Sequence, residues 1–384
     1  MSPRVLFSSA GALLGGLVLA LAGCTDPYMP DVIGTPPSYL VVDGFINSRG
    51  VSTFKLSRTY GIASAATPPT ETRATAYVEE EGGPRYLLRE GTTKGTYASD
   101  PLVLNTAKQY RLHLNTVAGK EYASDFVPAK ITPAIDTVAW RAGNAGLTVY
   151  VSSHDATNAT QYYRWEYDET WEITPAYIPG FEYSGGRVRP LTVPYPALCW
   201  ATTRSNKVEI SKTTALSQDV VSEYPVRQLP STADRLHQKY SILVQQYALT
   251  KEEYGYWDQL RRNTESIGTL FDPQPTQLTG NVHCLTNGSE LALGYVGAHS
   301  LTEKRIFIAR AQLPAAWRLL MGNESCFPAD TVKIGDEYRS FNPGYLFPIY
   351  LVAKGGALLG YSASTADCID CRKRGTAVRP SFWR

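Results

Sequence analysis

The segment from 162 to 172 has the sequence Tyr162-Tyr163-Arg164-Trp165-Glu166-Tyr167-Asp168-Glu169-Thr170-Trp171-Glu172. Successive side chains of a β-strand point to opposite faces of the sheet, so the segment divides into two sets. One face is aromatic and contains one carboxylate, and its members are Tyr163, Trp165, Tyr167, Glu169 and Trp171. The other face is polar, and its members are Arg164, Glu166, Asp168, Thr170 and Glu172. This alternation predicts a strand with one buried face.

Seven residues of this strand are candidate binding or interaction residues: Tyr163, Trp165, Glu166, Asp168, Glu169, Trp171 and Glu172. An aromatic face can stack on sugar rings, although such a face more often forms the core of a sandwich. The carboxylates can serve as a glycosidase pair or as calcium ligands. A solvated face balanced by arginines is the preferred interpretation. Glu169 lies on the aromatic face, where burial is costly unless the carboxylate is paired.

Short alternating segments separated by glycine-containing turns precede this strand. They predict an immunoglobulin-like or fibronectin-like β-sandwich over residues 39–127. Leu104 lies six residues before Tyr110, which begins an alternating segment. This spacing resembles the tyrosine corner of such sandwiches, so the Tyr110 hydroxyl is expected to bond to backbone upstream.

A proline-containing linker, 128–136, is expected to lead into a larger β-rich domain, 137–384. One helical insertion is predicted near 251–265, because Thr250 and Glu253 have the spacing of a capping box. Tyr254, Trp257 and Leu260 then recur at helical spacing and give one apolar stripe. The predicted fold class is mainly β.

The beginning of the chain has the layout of a secretory signal, residues 1–23, with a basic start and a short apolar run. It closes on Leu21-Ala22-Gly23-Cys24, which resembles the bacterial lipobox. Cys24 is therefore the predicted lipidation site, its thiol taking a diacylglycerol, and residues 24–38 are predicted to be a stiff, proline-containing tether. The chain is expected to be anchored at a membrane by lipid, without a spanning helix.

Five further cysteines follow Cys24, and an oxidising compartment allows disulfides among them. They are Cys199, Cys284, Cys326, Cys368 and Cys371. The hypothesis is one disulfide from Cys326 to Cys368 or Cys371 and another from Cys199 to Cys284. Five is an odd number, so at least one thiol stays free or pairs elsewhere.

The formal net charge is +2 without a block of like charges, which argues against a nucleic-acid surface. The sequence contains no Gly-x-Ser-x-Gly elbow, no His-Glu-x-x-His motif, no phosphate loop and no dinucleotide fingerprint. The five histidines have no ligand-like spacing. The sequence therefore predicts neither a catalytic site nor a metal or other cofactor.

Several stretches together resemble a bacterial family of outer-membrane lipoproteins, the domain of unknown function 4249. They are the lipobox and residues 162–165, 169–172, 199–200, 240–246, 256–257, 268–275, 280–281, 304–308, 368–372 and 380–383. The resemblance implies an outer-membrane location and a gene often found beside TonB-dependent transporters. It implies no established activity.

The expected function is that of a non-catalytic lipoprotein that assists an outer-membrane transporter or captures a small-molecule or glycan ligand. The first alternative is a cell-surface glycoside hydrolase that uses the 166–172 acidic cluster. The second is an envelope assembly or adhesion module with a different protein partner. Phe271 and Asp272, in a proline-rich segment, are candidate interaction residues, since such a loop can dock a partner or simply connect two elements.

Overall fold

The structure is a computed structural model that describes residues 38–61, 67–265, 278 and 280–384. The predicted signal segment, Cys24, the tether, Phe271 and Asp272 lie outside the described residues. The fold is mainly β, as predicted. The described strands are β1 (Leu40–Asn47), β2 (Thr53–Arg58), β3 (Thr75–Glu80), β4 (Arg85–Glu90), β5 (Thr96–Ser99), β6 (Gln109–Asn115), β7 (Glu121–Ser124), β8 (Val127–Pro128), β9 (Ile135–Gly143), β10 (Gly146–Asp155), β11 (Tyr162–Ile173), β12 (Phe181–Ser184), β13 (Arg187–Pro190), β14 (Cys199–Arg204), β15 (Glu209–Lys212), β16 (Asp219–Pro230), β17 (Lys239–Ala248), β18 (Val282–Cys284), β19 (Ala292–Leu293), β20 (Ala298–His299), β21 (Leu301–Ala309), β22 (Asp330–Lys333), β23 (Phe347–Lys354) and β24 (Ala357–Ser364). The described α-helices are α1 (Lys251–Glu265), α2 (Glu337–Phe341) and α3 (Ala366–Ile369).

The first module is one continuous sheet that curls around a single apolar core. Its strand order is β18-β7-β6-β3-β4-β5-β2-β1-β19, with β8 paired to β6 and β20 paired to β1. A bridge between His283 and Leu291 joins the two ends of this order. Phe54, Tyr97 and Tyr110 are fully buried in its core. The sheet is therefore nearly closed, which leaves few unpaired strand edges.

Residues 282–299 complete this first sheet, although the predicted domain boundaries place them in the second domain. Strand β18 pairs with β7, and β19 and β20 pair in parallel with β1. Val282, Val296 and Ala298 are buried in the same core as the N-terminal strands. The chain thus returns to its first module after building most of the second, a long-range pairing that strand patterns do not reveal.

The predicted tyrosine corner is confirmed. The Tyr110 hydroxyl accepts a hydrogen bond from the backbone N–H of Asn105 at 2.9 Å and donates to Glu80 at 3.1 Å. The Tyr110 ring is fully buried, so these bonds tie the loop before β6 to the core. The corner also links β6 to Glu80 on the neighbouring strand β3.

Tyr110→Phe is expected to lower the free energy of unfolding by about 1–2 kcal/mol, because it leaves the Asn105 N–H without its acceptor. Urea unfolding followed by circular dichroism measures the change. Tyr60→Phe, at an exposed ring, is the matched control and is expected to change stability little. Equal stability of the two variants would contradict this role of the hydroxyl.

The second module is a sandwich of two antiparallel sheets. One sheet has the order β14-β11-β17-β21, with β15 also paired to β11, and the other has the order β16-β10-β9. The aromatic face of β11 forms the core between them, with Tyr163 and Trp165 fully buried beside Ile242 and Val244. The hypothesis that this face binds sugar rings is therefore wrong, and the core interpretation is confirmed.

The loop between β10 and β11 is organised by one carboxylate. Asp155 accepts hydrogen bonds from the backbone N–H groups of Thr157, Ala159 and Thr160 at 2.9, 3.2 and 3.0 Å. Partial burial alone would raise the pKa of Asp155, but the hydrogen bonds from Thr157 and its neighbours outweigh burial and lower the pKa to about 2. The ionised form is thus strongly favoured by the folded loop.

Asp155→Asn is expected to destabilise the protein at neutral pH and to lose this effect in acid. Because folding lowers this pKa, the contribution of the carboxylate is present above about pH 4 and is lost as the pH falls through about 2. Unfolding midpoints measured from pH 7 down to pH 2 should therefore converge for wild type and variant. Asp100→Asn, at an exposed surface ion pair, is the control. If the unfolding midpoints of Asp155→Asn and wild type differed by the same amount at every pH, the expected pH dependence would be contradicted.

A C-terminal module is attached to the second sandwich by one disulfide and contains a second one. Its sheet has the order β22-β24-β23, and the β12–β13 hairpin packs on the same small core. The disulfides join Cys326 to Cys368 and Cys199 to Cys371. The first matches one of the two predicted alternatives. The predicted Cys199–Cys284 pair is wrong, because β18 carries Cys284 into the core of the first module, where it is a buried free thiol.

Candidate functional site

A cleft of about 600 Å³ lies where the first sheet, the second sandwich and α1 meet. We call it the interdomain cleft. It is lined by Val41, Val42, Asp43, Gly44, Phe45, Thr53, Lys55, Arg164, Glu166, Arg204, Tyr247, Glu253, Tyr256, Trp257, Leu260, Leu293, Gly294 and Tyr295. Five aromatic rings and six formally charged side chains of both signs therefore share one concave surface, which offers a ligand both apolar contact and polar groups that fix its orientation.

Strand β1 supplies one wall through its alternation. Leu40, Val42 and Ile46 point into the first core, so Asp43 and Phe45 point outwards to the cleft. Gly44 has a φ of +143°, and a Cβ there would lie 2.3 Å from the carbonyl oxygen of Thr53. Only glycine allows β1 and β2 to approach so closely at this point.

Helix α1 supplies the opposite wall. The Thr250 hydroxyl accepts from the backbone N–H of Glu253 at 3.1 Å, as the capping-box prediction required. The Glu253 carboxylate is buried and lies 3.4 Å from His299, and no described hydrogen bond returns it to the helix start. The helix is thus fixed against β20, and Tyr256 and Trp257 project into the cleft.

Arg164 is the centre of the cleft. Its side chain lies between two rings, with Cζ 4.5 Å from the centroid of Tyr247 and 4.1 Å from that of Trp257. The residue is 8% exposed, and Nη1 donates to Glu166 at 2.7 Å. The Nε of Arg164 and the Nε1 of Trp257 are buried without a partner among the described residues. Each unsatisfied donor of this kind costs about 1–3 kcal/mol.

Glu166 is held by two cations and a hydroxyl. It pairs with Arg164 and Arg204 and accepts from the Tyr247 hydroxyl at 3.1 Å. Burial alone would raise the pKa of Glu166, but the two guanidinium groups outweigh burial and lower the pKa below its usual value. Burial raises the pKa of the neighbouring Asp168, which Arg204 only partly offsets at 4.0 Å.

The remaining predicted residues of β11 are placed away from the cleft. Glu169 is 2% exposed and is paired with Arg227 and Arg235, so its predicted need for partners is met. Trp171 lies under the guanidinium of Arg235, with Cζ 4.5 Å from the ring centroid. Glu172 accepts from the indole N–H of Trp383 at 2.9 Å.

Of the predicted β11 residues, the structure brings only Glu166 into the cleft. Arg164, Tyr247 and Trp257 are not among the site residues predicted from the sequence. The sequence pattern indicated these residues only weakly as site residues. Arg164 shares the polar face of β11 with Glu166, and Trp257 belongs to the apolar stripe of α1. Their convergence depends on a tertiary contact between segments about ninety residues apart.

The comparison with family models identifies the chain. A model described as Domain of unknown function (DUF4249) matches residues 25–305, and the chain belongs to this family. A comparison with curated proteins gave no match. Within the residues that the structure describes, no helix is long and apolar enough to cross a bilayer. The same described ranges contain no group of three His, Cys, Asp or Glu side chains placed to hold a metal ion.

Proposed function

We infer that the protein is an outer-membrane lipoprotein, lipidated at Cys24, that captures a small ligand for an outer-membrane transporter. The lipobox-like sequence and the signal-like segment support the anchor. The family membership supports the same class of protein, although the family carries no assigned activity.

The interdomain cleft is the observation that carries the proposal. Its volume of about 600 Å³ is in the range of small-molecule sites, and aromatic and charged side chains line it together. The cleft is formed by two modules and a capped helix, so its walls are held by hydrogen-bonded sheets. A binding function needs such a preformed surface and requires no catalytic group.

Affinity purification of the full lipoprotein from detergent-solubilised membranes tests the transporter partnership. A barrel protein is expected to co-purify with wild type. It is also expected with Leu260→Trp, which fills the cleft and leaves other surfaces unchanged. A Cys24→Ser variant should lose membrane attachment. Recovery of the wild-type lipoprotein without any barrel protein would count strongly against the partnership.

A glycoside hydrolase is the second candidate, and one observation favours it. Glu166 and Asp168 lie on the same face of β11, and their surroundings move their pKa values in opposite directions. Such divergence is typical of an acid and a base that act together. Glu166→Gln and Asp168→Asn would each abolish any glycosidase activity found. Retention of that activity by both variants would reject this candidate.

A further inference from the structure

We propose that the corner of the interdomain cleft formed by Arg164 and Trp257 binds the carboxylate of a small ligand with an apolar body. This inference rests on the proposed ligand-capturing function and names the chemical class of the ligand. The carboxylate accepts hydrogen bonds from Arg164 Nε and Trp257 Nε1. The apolar body lies against Tyr256, Leu260 and Leu293, which line the same cleft.

The hydrogen-bonding pattern of Arg164 selects an anion with two acceptor oxygens. A guanidinium group offers five donors in a planar fork that matches a carboxylate. Glu166 accepts from Nη1, which leaves Nε as a donor without a partner among the described residues. Trp257 adds a second unpartnered N–H beside the same guanidinium group. A carboxylate is able to satisfy both donors at once, whereas a neutral hydroxyl presents a single, weaker acceptor.

The local charge favours the same ligand. Two guanidinium groups, Arg164 and Arg204, face the single carboxylate of Glu166. Arg204 also lies 4.0 Å from Asp168, and Lys55 stands opposite Asp43 on the β1–β2 wall, so Arg164 itself is the cation that an incoming carboxylate meets at this corner. The other acidic side chains of the cleft are placed differently, since Glu253 faces His299 and Asp43 lies exposed on β1.

Binding requires a small movement of one side chain. Both unpartnered N–H groups are shielded from solvent in the structure, because the Trp257 ring covers the guanidinium of Arg164. The ring must rotate partly away for a carboxylate to reach Nε. The environment of the Trp257 indole then changes, so binding is expected to alter the fluorescence of this residue.

Fluorescence titration of the full, detergent-solubilised lipoprotein with a matched pair of probes tests the inference. The probes are N-acetyl-L-phenylalanine and its uncharged carboxamide. The acid is expected to bind at least about tenfold more tightly than the amide, because charge-assisted hydrogen bonds are stronger than neutral ones. Thermal unfolding with each probe gives an independent readout of the same difference.

Two variants locate the contact. Arg164→Lys keeps the charge but removes Nε, and Trp257→Phe keeps a ring but removes the N–H donor. Both are expected to reduce the preference for the acid, which for Trp257→Phe is measured by thermal unfolding with each probe because this variant lacks the reporting indole. Each variant's unfolding temperature without probe shows whether it is folded. The controls are Arg305→Gln and Trp383→Phe, which change an arginine and a tryptophan whose contacts lie outside the cleft. Both controls should bind as wild type does.

Three results would overturn the inference. They are absence of binding of the acid to wild type, equal binding of acid and amide, and an unchanged acid preference in both site variants. If the acid and the amide bind equally well to wild type and Leu260→Trp binds neither, the cleft is still a capture site. The proposed function would then stand. Acid-selective binding without a co-purifying barrel protein would instead support the ligand class and remove the transporter partnership.

Discussion

Glu169→Gln is expected to lower the free energy of unfolding by about 3 kcal/mol, because it removes the one negative charge that balances two arginines at the core of the second sandwich. The Glu169 carboxylate accepts from Arg227 Nε at 3.0 Å and from the Tyr240 hydroxyl at 2.8 Å, and it also pairs with Arg235. Burial, together with Glu169, raises the pKa of Tyr240 well above its usual value, so that hydroxyl stays protonated and remains a donor.

Urea unfolding at neutral pH measures this effect. Glutamine keeps the shape and some hydrogen bonds of the original side chain. The decrease in the free energy of unfolding therefore reports mainly on the lost charge. Glu303→Gln, at an exposed position of β21 in the same sheet, is the matched control and should change stability by less than about 0.5 kcal/mol. Similar stability of the two variants would show that Arg227 and Arg235 do not depend on Glu169.

Removing the Cys199–Cys371 disulfide is expected to have the largest effect on stability of any change considered. The two cysteines are 172 residues apart, and the chain-entropy relation gives about 5 kcal/mol for a loop of that length. Both side chains are fully buried in a small core that joins β14 to the C-terminal segment. The paired variant Cys199→Ala with Cys371→Ala should therefore unfold at much lower urea and expose the C-terminal segment to trypsin.

Cys284→Ala is the control for this experiment, since Cys284 is a free thiol in the other module. It should keep both disulfides and resist trypsin as wild type does. Non-reducing peptide mapping of the wild type is expected to recover the Cys199–Cys371 and Cys326–Cys368 peptides. Recovery of a peptide that joins Cys199 to Cys284 would contradict the structure.

The strands and the core of this protein follow from local pattern. Alternation along β11 predicts that Tyr163 and Trp165 share one face, and the structure buries both. The spacing of Leu104 and Tyr110 predicts the tyrosine corner. These predictions succeed because strand geometry and turn chemistry act over a few residues, which a single sequence displays directly.

The pairings that failed are those set by the global path of the chain. The hypothesis from sequence pairs Cys284 with Cys199, but β18 returns to the first module and separates them. The interdomain cleft was missed for the same reason. Its walls come from β1, β11 and α1, and no periodicity relates Phe45 to Trp257. Such contacts are decided by packing between modules.

The dependence of contacts on the global path of the chain also explains why the acidic cluster does not act as one group. Sequence alone treats Glu166, Asp168, Glu169 and Glu172 as one group. The structure divides them, because Glu166 lines the cleft, Glu169 is buried in the core and Glu172 binds the C-terminal Trp383. The density of carboxylates along β11 therefore pointed to a segment that contributes to the cleft, but it did not predict the role of each carboxylate.

Native mass spectrometry of the protein, purified from cells that naturally produce it, tests the central claim that the interdomain cleft captures a small ligand. Wild type is expected to carry a non-covalent small molecule that is released on activation. Glu252→Trp, which adds an indole to the exposed face of α1, should carry it as well, and Leu260→Trp should not. A wild-type protein without any bound molecule, or a Leu260→Trp variant that retains it, would contradict the claim.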